Sequence, residues 1–552
     1  MSRRGSRAAV VLLVLLGAPA AARAADAPEA SAELVAAGER IYRLGVLPDG
    51  GRLAGTIGRD VIVAGRDAAC ASCHRRSGWG SSEGSTQAPP VNARTLFRPV
   101  GVGYPGTGRA RTTGDGARPA YTRESLARAI RQGVGPNGGR LRAPMPRFAL
   151  TGEAMAAVVA YLERLGDGGS PGVDGRTVHL ATIVAGPVPA ERRNALLGVL
   201  RAFERDVNAD SRKEADRRRR GGWATRWRYD GYRKWRLSVW ELGGGPETWS
   251  AQLEELYRED PVFAVVGGVG EGTWQPVHDF CESLGLPCFF PVTDQPGDGT
   301  GYYTVYFSRG AGLEGEAAAR FVAHALPPRG TAVQVYRPGG RGEVAARAFR
   351  GAAGGSEGLT VADLPLPEGP VSPATLAATG REAPGALILW LDAEDLAALG
   401  GATPVGPGVK IVLPSWALAS PLPGIVRAFP GRCLVPFPYA LPGSPEADRG
   451  RALLWMRSRK VEVVDERVQT GALFAAAMVG EALRELRGRF SRDYLMETME
   501  HMVDNAVMPT VYPRLTLAPG ERFASTACTM VVVGADRDGG PKLTPVGGRM
   551  VL

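Results

Sequence analysis

Short apolar runs alternate with amphipathic helical stretches through the C-terminal two thirds of the chain, and this alternation constrains the fold more than any other feature. VHLATIV from 178, VFAVVGG from 262 and ALILWLD from 386 are predominantly apolar, and stretches such as WSAQLEELYRE separate them. A strand that is apolar on both faces belongs in a parallel sheet that helices cover on both sides. About 370 residues follow position 176, which is too many for one such sheet, so we expect two α/β lobes.

A second constraint is the sequence CASCH at residues 70–74. In the pattern CxxCH, the thiols of Cys70 and Cys73 would add to the vinyl groups of a haem, and His74 would supply an axial imidazole. The alternative is a redox or zinc CxxC with an incidental histidine, but zinc sites of this type use a second CxxC pair that the chain lacks. The pattern therefore predicts one covalently bound haem c.

Two methionines lie where a second axial ligand is expected, and their surroundings separate them. Met145 stands between two prolines, which favour an extended loop that presents the thioether. Met155 belongs to an amphipathic helical pattern over 151–162 and is expected in the core. We predict that Met145 ligates the iron; simple gap-filling by Met145 is the alternative.

The first residues have the pattern of an export signal. Arg3, Arg4 and Arg7 precede an apolar run at 8–16, and Ala22-Arg23-Ala24 matches a signal-peptidase site. We predict cleavage after Ala24 and a periplasmic protein. The run is too short to span a bilayer and no longer one follows, so no transmembrane span is expected.

The region around the haem motif resembles a class I cytochrome c over residues 30–168. It has an early helix at 32–44, a helix at 122–132 and the segment RAPMPRFALTGEAMAAVVAYLERL. It departs from that pattern by a glycine-rich stretch at 45–68, interpreted as a hairpin, and by a long loop at 75–121. The resemblance implies an all-α domain with His/Met-ligated iron that transfers electrons. Both axial positions would be filled, so peroxidase-type enzyme activity is not expected.

The larger part is similar to type I periplasmic binding proteins of the branched-chain amino-acid receptor group. The similarity covers 178–535 and includes late helices at 467–487 and 492–502 and the segment YPRLTLAPGERFASTACTMVVVG. The stretch WSAQLEELYREDPVFAVVGGVGEGTWQPVHDFCESLGLPCFFP looks closest to exported proteins that fuse a cytochrome c to such a domain. The resemblance implies a receptor-like domain that binds a small ligand or docks a redox partner.

Ligands of such sheets bind beyond the carboxyl ends of the strands, where helices begin. The glycine-rich turn at 267–274 follows one strand, and a polar pair follows the next. Tight turns and helix caps are the alternative interpretation. The turn does not have the G-x-G-x-x-G spacing of a dinucleotide site. The candidate ligand residues are Gly270, Thr273, Trp274, Thr293 and Asp294.

The remaining cysteines suit an oxidising compartment. Cys281 lies near a helix end and Cys288 at the next strand start, so a disulfide can join them. Free thiols, or a metal site with His278, are the alternatives. Cys433 and Cys528 leave a second bridge open.

Residues 211–236 carry eleven Lys or Arg and three acids, with tryptophans and tyrosines interleaved. Export argues against nucleic-acid binding, which leaves docking to an acidic redox protein or an anionic membrane surface, or a solvated insertion. The formal charge of +10 falls to +6 without residues 1–24, and this segment alone contributes +8. The rest of the mature chain is therefore mildly acidic.

These observations predict four segments: a signal peptide at 1–24, a cytochrome c domain at 25–165, a linker at 166–176 and a two-lobed binding domain at 177–552. The expected function is one-electron transfer in the periplasm, with a periplasmic dehydrogenase or other redox protein as partner. The alternative is a solute receptor of a transporter or sensor system in which the haem reports redox state.

Overall fold

The structure is a computed structural model that describes residues 30–99, 118–166, 169–220, 232–327, 330–354, 359–374, 384–399, 405–418, 422–536 and 540–552. The expected signal peptide and positions 221–231 of the basic segment lie outside these residues. One compact unit lies within 1–72 and 119–164, and the other within 73–118 and 165–552. No described helix is long and apolar enough to cross a membrane.

The described elements follow the predicted alternation of helix and strand. The helices are α1 Ala32–Leu44, α2 Cys70–His74, α3 Ala93–Leu96, α4 Arg123–Gln132, α5 Gly152–Arg164, α6 Ala190–Arg220, α7 Trp249–Glu259, α8 Gln275–Leu284, α9 Ala311–Ala325, α10 Arg341–Ala353, α11 Ala393–Ala398, α12 Gly424–Ala428, α13 Gly450–Ser458, α14 Glu466–Glu485 and α15 Arg492–Met502. The strands are β1 Ala54–Ile57, β2 Val61–Ala64, β3 Ser81–Glu83, β4 Thr86–Ala88, β5 Arg147–Phe148, β6 Thr177–Ala185, β7 Lys234–Leu242, β8 Ala264–Val266, β9 Val269–Gly270, β10 Cys288–Phe289, β11 Thr304–Val305, β12 Thr331–Tyr336, β13 Thr360–Pro365, β14 Ala386–Trp390, β15 Lys410–Val412, β16 Cys433–Phe437, β17 Ala527–Ala535, β18 Pro541–Pro545 and β19 Met550–Val551.

The smaller unit is built on α1, α4 and α5. Ser31 caps α1 by accepting a hydrogen bond from the Leu34 amide, and Thr122 and Ser125 form a capping box at α4. Helices α1 and α5 cross closely at Gly38, where a Cβ would lie 2.0 Å from the carbonyl oxygen of Ala157. The predicted hairpin is present as β1 and β2, and β5 pairs with β1 as a third antiparallel strand.

The first lobe of the larger unit is a parallel sheet with the strand order β11-β10-β8-β6-β7, in which β9 pairs with β6. Alternate residues of β6 face opposite sides of this sheet. Leu180 packs in a cluster with residues of α6, α14 and α15, and Ile183 packs in another with residues of α7 and α8. Helices therefore cover both faces, as the apolar strands predict.

The second lobe is a sheet with the order β13-β12-β14-β15-β16-β17-β18. Strands β12 to β16 pair in parallel, which confirms the second predicted α/β sheet. Strand β17 instead pairs antiparallel with β16, and β18 antiparallel with β17. The terminal segment therefore extends the sheet at one edge in the opposite direction.

Candidate functional site

Helix α2 carries both cysteines of the haem motif and the predicted axial histidine. Cys70 is partly exposed and Cys73 is exposed, whereas only 7% of His74 is accessible to solvent. The end of α2 is fixed by the chain that follows: the Ser81 hydroxyl donates to the carbonyl of Cys73 at 2.7 Å, and the Gly80 amide donates to the carbonyl of His74 at 3.0 Å. The histidine is thus held on an ordered segment.

The imidazole of His74 is oriented by one hydrogen bond. Its Nδ1 lies 2.8 Å from the carbonyl oxygen of Pro89, which only accepts, so we assign the proton to Nδ1. Burial lowers the pKa of His74, although the bond to Pro89 opposes that shift, so the ring is neutral. Within the described residues Nε2 has no hydrogen-bond partner. A neutral imidazole oriented through Nδ1 is the form that ligates a metal through Nε2.

Met145 lies in a bent segment that the backbone and Arg147 hold in place. The Met145 amide donates to the carbonyl of Arg142 at 3.2 Å, and the Arg147 guanidinium donates to the carbonyl of Met145 at 3.0 Å. The side chain of Met145 is half-buried. Met155 is 4% exposed within α5 and belongs to the core, as its helical pattern predicts. The thiols of Cys70 and Cys73 and the neutral imidazole of His74 lie on one helix and fit covalent attachment of haem c, and Met145 stays the predicted second ligand.

A buried carboxylate ties the segment after His74 to α15. Glu497 accepts from the Ser77 amide at 2.9 Å and from the Ser77 hydroxyl at 2.6 Å. Glu497 is 6% exposed and Ser77 is 1% exposed. Burial raises the pKa of Glu497 to about 7, even though both hydrogen bonds favour its charged form.

A second polar cluster lies where the carboxyl ends of strands from both lobes meet. Asp294, which follows β10, receives hydrogen bonds from Arg341 at the start of α10 (2.6 Å) and from Arg467 on α14 (2.7 Å). Burial would raise the pKa of Asp294, but the two guanidinium groups hold it at about 2. Arg341 also binds Asp392, which follows β14, at 2.7 Å. We call these four residues the cleft cluster.

Two buried N–H donors, one within the cleft cluster and one beside it, lack hydrogen-bond acceptors in the described part of the chain. The Nε atoms of Arg467 and of the Trp416 indole are buried without a hydrogen-bond partner. Arg341 stacks over Trp416 at 5.1 Å, so the indole is part of the same surface. Nearby, Glu314 accepts from the amide and hydroxyl of Ser415, and burial raises its pKa to about 8. Buried donors without partners favour a ligand that offers acceptor atoms.

The structure shows packing and turn contacts within the predicted turn at 267–274, and its role in ligand binding stays a prediction. Trp274 is completely buried, and its ring lies so close to Gly270 that a Cβ there would be 2.9 Å from it. The hydroxyl groups of Thr273 and Thr293 accept from the amides two residues further on, at 3.2 and 3.1 Å. These contacts are the ones expected of tight turns and helix caps. Among the candidate ligand residues, Asp294 belongs to the cleft cluster, and the Thr293 carbonyl accepts a hydrogen bond from Arg467 at 3.5 Å.

Sequence reasoning missed Arg341 and Arg467. Arg341 begins the helix after β12, the position where a parallel sheet presents ligand groups, so this signal was available. Arg467 lies in the first turn of α14 and is distant from Asp294 in sequence, so no local pattern identifies it.

The four other cysteines are all buried free thiols. Cys281 and Cys288 are neighbours, since their mutual side-chain hydrogen bond and burial both raise the pKa of the Cys281 thiol. Cys433 and Cys528 lie at opposite ends of the β16–β17 ladder, in which Leu434 faces Val532. About five residues of strand, roughly 17 Å, separate them, which exceeds the reach of a disulfide. This distance therefore excludes a disulfide between Cys433 and Cys528.

The described ends of the basic segment join regular structure. Residues 211–220 complete α6, and β7 begins at Lys234. Trp235 is 6% exposed and packs against Phe203, so this aromatic residue belongs to the core of the first lobe. The remaining tryptophans of the segment lie outside the described residues.

Comparison with known proteins finds a likeness for each part of the chain. Residues 64–166 match the family model for cytochrome c. An ABC transporter substrate-binding protein from Sphaerobacter thermophilus has a TM-score of 0.50 at 15% identity, over 68% of this chain and 98% of that chain. A fatty acid ABC transporter substrate-binding protein from Thermomonospora curvata has a TM-score of 0.47 at 17% identity, over 68% and 93%. A periplasmic binding protein type 1 from Bordetella pertussis has a TM-score of 0.45 at 16% identity, over 68% of this chain and 100% of that chain.

None of the curated proteins compared with the chain matches it. Identities this low show the fold and not the ligand. The chain thus joins a cytochrome c domain to a larger part that has the fold of type I periplasmic binding proteins.

Proposed function

We propose that this protein is an exported one-electron carrier with a single haem c, and that its binding-protein part takes a small ligand or docks a redox partner such as a periplasmic dehydrogenase. The observation that supports this most strongly is His74, whose neutral, buried ring is oriented by Pro89 and offers Nε2 to a metal.

Four residues of the chain would hold the haem. Cys70 and Cys73 would form the thioether bonds, and His74 and Met145 would supply the axial atoms. The bound haem supplies reversible one-electron chemistry. Pro89 keeps the His74 ring in place, and Arg147 holds the loop of Met145. With His74 and Met145 both bound to it, the group would supply electron transfer rather than peroxide chemistry.

Haem content and redox behaviour test this proposal. Protein made in cells that attach haem c should carry one haem per chain by mass and absorbance, and it should titrate as a single one-electron couple. Cys70→Ala and Cys73→Ala should each lose one thioether bond, and His74→Ala should lose the native ferrous spectrum. A chain that carries no covalent haem would refute the assignment.

Export is tested separately. The mature protein should begin at Ala25 and be recovered from the periplasmic fraction. Retention of residues 1–24 on the mature chain would contradict the proposed localisation.

A solute receptor with the haem as a redox reporter is the second candidate. The cleft cluster favours it, because a carboxylate ligand offers acceptors to the unpartnered donors of Arg467 and Trp416. Titration calorimetry with amino acids, short amides and carboxylates should detect the ligand, and the haem reduction rate should be measured on the same samples. Binding that leaves this rate unchanged favours the receptor.

A further inference from the structure

A small pocket lies away from the cleft cluster, at the end of the first-lobe sheet where β6 and β7 begin. Its volume is about 190 Å³, and its walls come from the segment after the haem motif, the linker, the start of β7 and the α14–α15 connection. All of these segments belong to the larger compact unit. Pockets for drug-sized molecules hold roughly 300–1,000 Å³, so this one suits a smaller ligand.

The lining of this pocket is strongly positive. Arg94, Arg233 and Arg489 line it, and Asp174 is the one acidic residue among the described lining residues. The Asp174 carboxylate already accepts from the amides of Arg176 and Thr177 at 2.7 and 2.8 Å, which lowers its pKa. Its charge is therefore engaged by the turn that begins β6, and the pocket keeps an excess of positive charge.

Aromatic rings hold two of the guanidinium groups in position. Arg489 lies over Trp79 at 4.7 Å, and Arg233 lies over Phe490 at 5.2 Å. The described residues place no carboxylate within ion-pair distance of Arg94 or Arg489. Stacking orients Arg489 without neutralising it, so its N–H groups stay available to an anion.

The N-terminus of a helix adds to the positive charge around the pocket. Ser491 lines the pocket and is the N-cap of α15, a helix of 11 residues. The N-terminus of a helix carries a partial positive charge that favours an anion. The Ser170 hydroxyl donates to the Phe490 carbonyl at 2.9 Å, which fixes the linker against the α14–α15 connection.

We propose that this pocket binds a small, doubly charged oxyanion of the phosphate or sulfate type. Guanidinium groups bind tetrahedral and planar oxyanions through paired N–H donors, and the positive excess matches two negative charges. A volume of about 190 Å³ suits a small ion better than a nucleotide. This site does not depend on the proposed function of the haem or of the cleft.

Calorimetry on the intact haem protein tests the proposal, with inorganic phosphate and sulfate as probes at constant ionic strength and sodium chloride as the control salt. We expect saturable binding at one site and at least a tenfold loss of affinity in Arg489→Gln. Arg487→Gln is the matched control, because Arg487 is exposed, lies outside the pocket and faces Glu485 at 3.4 Å. It should bind as the wild type does.

Equal heats from chloride, or unchanged binding in Arg489→Gln, would overturn the proposal. Arg489 also packs on Trp79, so its variant is first checked for a native thermal transition. Should that variant not fold, Arg94→Gln decides, because Arg94 is exposed and its loss leaves the packing intact. A weaker affinity in Arg94→Gln supports the site, and an unchanged affinity refutes it.

Discussion

The substitution Asp294→Asn should destabilise the binding-protein part because it removes the charge that two arginines share. The side chains of Asp294, Arg341 and Arg467 are 17%, 28% and 20% exposed, so these three are largely shielded from water. The pKa of Asp294 is about 2 against an ordinary value of 3.8, and that difference corresponds to about 2.5 kcal/mol. Removing one member of a buried ion pair costs about 3–5 kcal/mol. Partial exposure reduces this, so we expect a loss of about 2–4 kcal/mol.

Urea unfolding at neutral pH, followed by tryptophan fluorescence, measures this loss, and haem absorbance follows the cytochrome c domain separately. Asp392→Asn is the matched control. Asp392 binds the same Arg341 but is 59% exposed, so its loss should cost under about 1 kcal/mol. The stabilisation from Asp294 is present above pH 3.8 and is lost as the pH falls through about 2. Equal destabilisation by the two substitutions would refute the role of Asp294.

Three further predictions concern buried groups. The pKa of Glu497 is about 7 and thus raised above its ordinary 4.5, so native stability should fall by about 3 kcal/mol as the pH rises through this interval. Glu497→Gln should weaken the dependence of the unfolding free energy on pH, measured by urea titrations at several pH values. A pH dependence equal to that of the wild type would contradict this prediction. Burial likewise raises the pKa of Glu314 to about 8, so native stability should also fall as the pH rises from 4.5 to 8. Glu314→Gln should therefore unfold at a higher urea concentration than the wild type above pH 8, but not below pH 4.5. Cys281 and Cys288 are free thiols in this structure but are neighbours, so oxidation in the periplasm should join them by a disulfide. Mass spectrometry after alkylation of the denatured protein without reductant should find both protected; alkylation of both would disprove the bridge.

Local patterns predict the parts of this fold that short stretches of chain determine. The apolar runs are continuous because β6, β12 and β14 are covered on both faces, so their pattern reports burial directly. The CxxCH motif uses every position for one chemical purpose, which makes it specific. The helix at 32–44 is recovered with the same bounds because its cap and apolar stripe are both local.

Contacts between distant residues are beyond such patterns. Asp294 meets Arg341 and Arg467 only because strands from both lobes end at the same place. Strand β17 pairs antiparallel with β16 after a long excursion of the chain, which periodicity does not reveal. The same limit explains Gly270: its neighbours look like a ligand turn, but its lack of a side chain serves the ring of Trp274.

The spectrum of the oxidised protein tests the central claim most directly. Ferric haem with a methionine ligand has a weak charge-transfer band from sulfur to iron at the red end of the visible spectrum. This band should be present in the wild type, lost in Met145→Leu and kept in Met155→Leu, because Met155 is buried in α5. A band that persists in Met145→Leu would contradict the account of this protein as an electron carrier ligated by His74 and Met145.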